Sequence, residues 1–212
     1  MGIYFEALIL YILIFLPATV ITGAPAEPPP FSASATLAGT LLFYIPALAL
    51  IWCLISRSWK VEYWLVKPGR KDLFAFVITL PCLLIISFVT SFTASYIGGA
   101  KMSAVASPSG GFDWAVLCFS CIFAAYLEES YFRFYLLARR EELNLDPTRA
   151  LALSVLLFSI CHIYEGPWGF LNAVIAGTFL GFMFLKFGSL HGIAVAHGLY
   201  NIAVYGINTF SS

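Results

Sequence analysis

The sequence predicts an all-α membrane protein: a polytopic bundle of seven spanning helices, with room for an eighth, re-entrant segment. Three observations predict it. Of 212 residues, 61% are hydrophobic and 10% charged, with a mean hydropathy of +0.91, whereas soluble domains carry roughly 25% charged residues. Seven apolar stretches each approach the ~20 residues that cross the hydrocarbon layer as a helix. The Lys and Arg residues gather in alternate loops, as the positive-inside rule requires.

The expected spans are residues 3–21, 36–56, 73–97, 114–138, 147–163, 168–187 and 190–210. The first carries no Lys or Arg before residue 23. Although Ala24-Pro25-Ala26 resembles a small-x-small cleavage site, the long apolar run and uncharged start argue for a retained helix. Gly2 lacks the downstream Ser or Thr of a myristoylation signal, because Glu6 stands there. Residues 23–30 contain four prolines and no helix crosses them, so an exposed loop follows. Pro17, Pro46 and Pro81 are expected to kink the first three helices. Arg57, Lys60, Lys67, Arg70 and Lys71 follow the second span; Arg139, Arg140 and Arg149 flank the turn after the fourth; Lys186 ends the sixth. Only Lys101 falls on the other side, and Arg133 lies within a span. The N-terminus is therefore expected in the cytoplasm and the C-terminus outside.

A zero formal net charge and the lack of a basic stripe exclude a nucleic-acid partner. Cys53, Cys82, Cys118, Cys121 and Cys161 fall in or near apolar spans, where a thiol behaves as a small hydrophobe. Cys118-x-x-Cys121 has metal spacing, but without a second pair it reads as packing. Without repeats or a soluble-domain-sized loop, the chain is expected to form one integral-membrane domain over residues 1–212.

Polar groups at membrane depth are costly and mark functional sites. Glu128 and Glu129 are followed by Arg133 in the fourth span, Phe158 by His162 in the fifth, and His197 by Asn201 in the seventh. Glu129 and Arg133 stand four apart, on one helix face, and can satisfy each other; that pairing assigns them a supporting role. Glu128 points about 100° away, and neither Ala124 nor Phe132 offers it a cation. A carboxylate in that setting suits a general base. His162 and the His197–Asn201 pair could each serve only interhelical hydrogen bonds, but four polar groups on three helices point to chemistry. At 1.5 Å per residue, Glu128, His197 and His162 lie roughly 15, 11 and 20 Å from the basic ends of their helices. All three depths fall within a ~30 Å hydrocarbon layer. Small residues Gly192, Ala194, Ala196 and Gly198 around His197 permit close helix approach.

These residues resemble the CAAX-protease and bacteriocin-processing intramembrane peptidases, also called the abortive-infection or Ras-converting-enzyme type. The family pattern is a glutamate pair with Arg four residues on, then Phe-x-x-x-His, then His-x-x-x-Asn or Asp. Here it reads Glu128-Glu129-Ser130-Tyr131-Phe132-Arg133, Phe158-Ser159-Ile160-Cys161-His162 and His197-Gly198-Leu199-Tyr200-Asn201. The resemblance covers a catalytic core of about residues 114–206; the first three helices match only as spans. It implies peptide-bond hydrolysis by a glutamate-type mechanism, in which Glu128 assisted by His162 activates water and His197 with Asn201 stabilises the oxyanion. The implied partners are the bilayer and a membrane-embedded or lipid-proximal peptide.

A cofactor is not expected. The alternative is zinc held by His162, His197 and Glu128, but His-Glu-x-x-His and a second carboxylate cluster are missing. Two other functions fit the same residues. A proton- or metal-coupled transporter would use the acids and histidines as a relay, but would call for a pseudo-symmetric polar set in the first half. A non-catalytic immunity or scaffold protein would keep the site for binding alone.

Overall fold

The computed structural model describes residues 2–17, 30–58, 67–98 and 107–211. The end of the first expected span, residues 23–29 of the proline-rich loop, Lys60 and Lys101 lie outside them. Every described element is helical: α1 (Ile3–Ile14), α2 (Ala33–Gly39), α3 (Ile45–Ser58), α4 (Arg70–Gly98), α5 (Gly111–Glu129), α6 (Pro147–Ile160), α7 (Gly166–Phe187) and α8 (Leu190–Ser211). Two π-helical segments intervene, π1 (Thr40–Tyr44) joining α2 to α3 and π2 (Ser130–Leu137) extending α5, and a 3₁₀ turn (Ile163–Glu165) precedes α7.

Among the described residues, four rods are long and apolar enough to cross a membrane: Ala33–Ser56, Arg70–Ile97, Gly111–Leu137 and Ile163–Phe187. α8 reaches 22 residues and carries the polar His191, His197, Asn201 and Asn208. α1 has 12 residues, and α6, at 14, is shorter than its expected span. At 1.5 Å per residue, α6 is about 21 Å long, less than the ~30 Å of hydrocarbon. The protein is an integral membrane protein, and its outward faces fit one: Leu42, Phe88, Tyr96 and Ile97 are all exposed.

Local chemistry explains several of these limits. α6 starts at Asp146, whose carboxylate accepts from the Thr148 and Arg149 N–H groups at 3.0 Å each, with Pro147 in the first helical turn. The Arg149 N–H, first among the causes, holds the Asp146 carboxyl below the usual carboxylate range. α7 stops where Gly188 turns left-handed at φ 57°; the Gly188 carbonyl then accepts from Lys71 Nζ at 2.7 Å, which ties the α7–α8 turn to the start of α4. π1 precedes Pro46, a residue with no N–H to complete an α-helical ladder, and its wider turn closes with Ile45 N–H bonded to the Thr40 carbonyl five residues back. π2 has no proline to account for it. Its wider ladder closes from Ala138 N–H to the Arg133 carbonyl at 2.9 Å, and all eight of its side chains are buried.

α8 packs against both α4 and α5, and its glycines allow this. A Cβ on Gly198 would lie 2.7 Å from Ile122 Cδ1 and 3.3 Å from the Cys121 carbonyl oxygen; one on Gly192 would lie 2.9 Å from Ala75 Cβ. The α5 backbone cannot move aside as a side chain could. Gly198→Ala is therefore expected to cost about 1–3 kcal/mol, read as a lower thermal midpoint in detergent and a loss of activity from displacement of His197.

α1 lies over π2 and α6. Tyr131 donates to the Ala7 carbonyl at 2.7 Å, Tyr11 to the Leu157 carbonyl at 3.0 Å, Tyr4 to the Leu143 carbonyl, and Tyr135 to the Glu6 carboxylate. Phe15 adds ring contacts with Tyr131 and Phe132 at 4.9 and 4.8 Å. π2 is thus enclosed by α1 on one flank and by Trp52 of α3 on another, where Trp52 Nε1 donates to Ser130 Oγ at 3.2 Å.

Candidate active site

Four of the six predicted residues form a continuous chain of charge. Arg133 Nε stands 3.2 Å from Glu129 Oε2, with both side chains fully buried. Glu129 Oε1 accepts from His197 Nδ1 at 2.9 Å, and His197 Nε2 lies 3.7 Å from Glu128 Oε2. The order is therefore Glu128, His197, Glu129, Arg133, with the imidazole of α8 inserted between two adjacent glutamates of α5. Glu128 finds its partner across the bundle rather than along its helix. Glu129 pairs with Arg133 as its spacing predicts, and also orients His197.

Beyond Glu129, Arg133 is held at Nη1 and over an aromatic face. Its Nη1 donates to Ser154 Oγ at 2.8 Å, Ser154 Oγ donates to the Phe132 carbonyl at 2.8 Å, and the guanidinium carbon lies 5.0 Å from the Phe158 ring centre. The π2 turn contributes to this, since it carries Arg133 between Glu129 on its own rod and Ser154 on α6. A cation over an aromatic face in a desolvated setting gains on the order of 2 kcal/mol.

Phe158 connects the remaining histidine. Its ring meets the His162 ring at 4.6 Å and the His197 ring, edge on, at 6.1 Å. Gly177 of α7 provides the space: a Cβ there would lie 2.8 Å from Phe158 Cδ1. His162 itself departs from expectation. It stands beyond the end of α6, in the break before the 3₁₀ turn, with φ −104° and ψ 8°. The break has a local cause in Gly166-Pro167: Gly166 takes φ 81°, closed to most side chains, and the residue before a proline avoids the helical region. His162 N–H bonds to the Ser159 carbonyl at 3.0 Å instead of continuing the ladder, and the freed Phe158 carbonyl takes His162 Nδ1 at 2.8 Å.

These bonds fix tautomers. A carbonyl only accepts, so Nδ1 of His162 carries hydrogen and Nε2 of the neutral ring is left with its lone pair. The same logic puts a hydrogen on Nδ1 of His197, facing Glu129, so Nε2 and Glu128 Oε2 face each other with one proton to share. With that proton present, the four-group chain is neutral whichever atom holds it, as a buried ensemble requires.

Glu128 is half-buried, with 22% of its side chain exposed, and its Oε2 accepts no hydrogen bond from the described residues. Asn201 sits one turn beyond His197 on α8, half-buried; among the described residues no hydrogen bond joins its amide to the other candidates. Glu165 was not singled out by the sequence, yet its N–H bonds to the His162 carbonyl at 3.0 Å; its signal was the acid three residues after His162 in Ile163-Tyr164-Glu165-Gly166. The five cysteines are free thiols.

For zinc, the ligand set does not assemble. Among the described residues no group of three His, Cys, Asp or Glu side chains comes together to hold a metal ion.

The family model described as type II CAAX prenyl endopeptidase, Rce1-like, matches residues 110–203. That stretch contains all six candidates and runs from the start of α5 to the middle of α8. Neither a curated protein nor a solved structure matches the chain.

Proposed function

We propose that this protein is an Rce1-like intramembrane endopeptidase that cleaves a membrane-embedded or lipid-proximal peptide through Glu128. The observation that carries this reading is the chain Glu128–His197–Glu129–Arg133, whose Glu128 end is the one half-open carboxylate of four otherwise buried groups. A structural ion pair is complete with Glu129 and Arg133. It does not call for a second glutamate, or for an imidazole turned toward it.

Glu128 takes a proton from water as the oxygen attacks the scissile carbonyl carbon, and His162 Nε2, its lone pair free, orients that water. The carbonyl π electrons move onto oxygen. His197, cationic and held by Glu129, donates from Nε2 to this oxyanion, joined by the Asn201 amide one turn away. Glu128 then passes its proton to the departing amine as the C–N bond breaks. Base catalysis of this kind contributes about 10²–10⁴-fold, and one oxyanion donor about 10²–10³-fold. Glu129 and Arg133 keep His197 in register. The N-terminus is read as cytoplasmic from the distribution of basic residues.

The test is cleavage of a membrane-peptide library by the purified protein, mapped by mass spectrometry. Cleavage is expected, and to the same extent after chelation of divalent ions. Loss on chelation that zinc restores would overturn the metal-free mechanism. Proton-coupled flux in liposomes without cleavage would overturn the peptidase reading.

A further inference from the structure

His197 joins the two glutamates of the site, and its bond from Nδ1 to Glu129 fixes only one corner of the ring. The plane of the imidazole, and so the aim of Nε2, is set by the rings packed against it. Phe158 meets it edge on at 6.1 Å, and Tyr200, three residues further along α8, meets it at 6.3 Å with 39° between planes. Phe158 belongs to the family pattern. Tyr200 falls on one of the unspecified positions between His197 and Asn201.

The Tyr200 side chain is tethered at its far end. Asn172 Nδ2 of α7 donates to the Tyr200 hydroxyl at 3.2 Å, and Asn172 Oδ1 accepts from Thr90 Oγ1 of α4 at 2.9 Å. Thr90 Oγ1 also lies 2.9 Å from the Ile86 carbonyl, one turn back on α4, so its single hydrogen is shared between that carbonyl and the amide. Thr90, Asn172 and Tyr200 are all buried, where an amide is costly unless bonded. Helix association alone would be complete with Thr90 and Asn172 across α4 and α7. It does not call for a tyrosine of α8 whose ring lies on the histidine.

α7 supplies none of the six candidate residues, yet both rings against His197 rest on it. Tyr200 is held by Asn172, and Phe158 lies over Gly177, where a Cβ would stand 2.8 Å from its Cδ1. Thr90 lies outside the matched residues 110–203, so the tether brings α4 to the site from a part of the chain that carries no motif. We propose that Tyr200, Asn172 and Thr90 are positioning residues for His197: the Asn172 amide, seated on Thr90, ties down the Tyr200 hydroxyl, and the Tyr200 ring fixes the plane of the imidazole. The kinetic consequence rests on the peptidase reading; the geometric one does not.

The experiment compares Tyr200→Phe, Asn172→Leu, their double variant, Thr90→Val and Thr90→Ser with the parent, each assayed at the same interval below its own thermal midpoint. Tyr200→Phe keeps the ring and removes only its tether. Since misplacement by 1 Å can cost about 10²-fold, a ring loosened by a fraction of that is expected to lower kcat about tenfold, with KM unchanged, in Tyr200→Phe and in Asn172→Leu. The double variant should lose no more than either single one, because the two act in series. Thr90→Val should show part of the loss, and Thr90→Ser, which keeps the hydroxyl, should match the parent. In parallel, carbethoxylation by diethyl pyrocarbonate, mapped by mass spectrometry, should speed up several-fold at His197 in Tyr200→Phe and stay unchanged at His191. Multiplying losses in the double variant, a Thr90→Ser variant as poor as Thr90→Val, an unchanged His197 rate, or equal acceleration at both histidines, the mark of a loosened bundle, would each overturn the proposal. If the parent cleaves no peptide, the peptidase reading fails and the modification rates alone decide the positioning.

Discussion

Glu128→Gln is expected to lower kcat for peptide cleavage by about 10³-fold, within the 10²–10⁴ attributed to a positioned general base, and to leave the protein folded. The substitution keeps the side-chain shape and removes only the basicity. Glu128 is the half-exposed end of its chain, with no hydrogen bond from the described residues on Oε2, so an amide there strands no tightly bonded partner. The same change at Glu129 is a different experiment. Glu129 is fully buried between Arg133 and His197, and Glu129→Gln leaves a guanidinium without its counter-charge. The expected contrast is a folded, inactive Glu128→Gln and a destabilised Glu129→Gln, read by cleavage rate and thermal midpoint on the same preparations. A Glu128→Gln variant that cuts like the parent would remove Glu128 from the chemistry. KM should change little, because the base acts on water and not on the peptide's binding contacts.

What the sequence makes legible, and what it hides, follows from how far apart the interacting groups stand in the chain. The Glu129–Arg133 pair is local, four residues apart, and the structure has it at 3.2 Å. The same local reasoning left Glu128 without a partner, because His197 arrives from α8, 69 residues later by numbering, and no periodicity encodes that meeting. π1 could be suspected from Pro46. π2 could not, since Ser130–Leu137 contains neither proline nor glycine, and its wide turn is sustained by burial among α1, α3 and α6. The shortened α6 was within reach: Gly166-Pro167 forbids a continuous helix into α7, and the break propagates back to His162. The role of Phe158 as the piece that touches both histidines and Arg133 depends on the Gly177 cleft in a different helix. Its place in a motif gave the residue, not the reason.

Arg133→Met should be the most damaging single change to stability, at about 3–5 kcal/mol, the cost of removing one partner from a buried ion pair. Arg133 is fully buried with Glu129, and removing it leaves that carboxylate facing only His197. Two compensations are open to the protein. Glu129 can take up a proton, or His197 can stay cationic to neutralise it; a protonated Glu129 no longer holds the imidazolium that donates to the oxyanion, so the chemistry is weakened as well. Stability and activity should therefore fall together in Arg133→Met, unlike in Glu128→Gln. Adding Glu129→Gln to Arg133→Met removes the stranded charge and should restore part of the thermal midpoint, because a buried pair replaced as a unit is far less costly than one broken. Activity should not return with it: the amide can still accept from His197 Nδ1 but no longer stabilises the imidazolium that donates to the oxyanion. A double variant that regains both would mean that Glu129 and Arg133 serve the fold alone. One that regains neither would place the critical contact of Arg133 on Ser154 and the Phe158 ring instead.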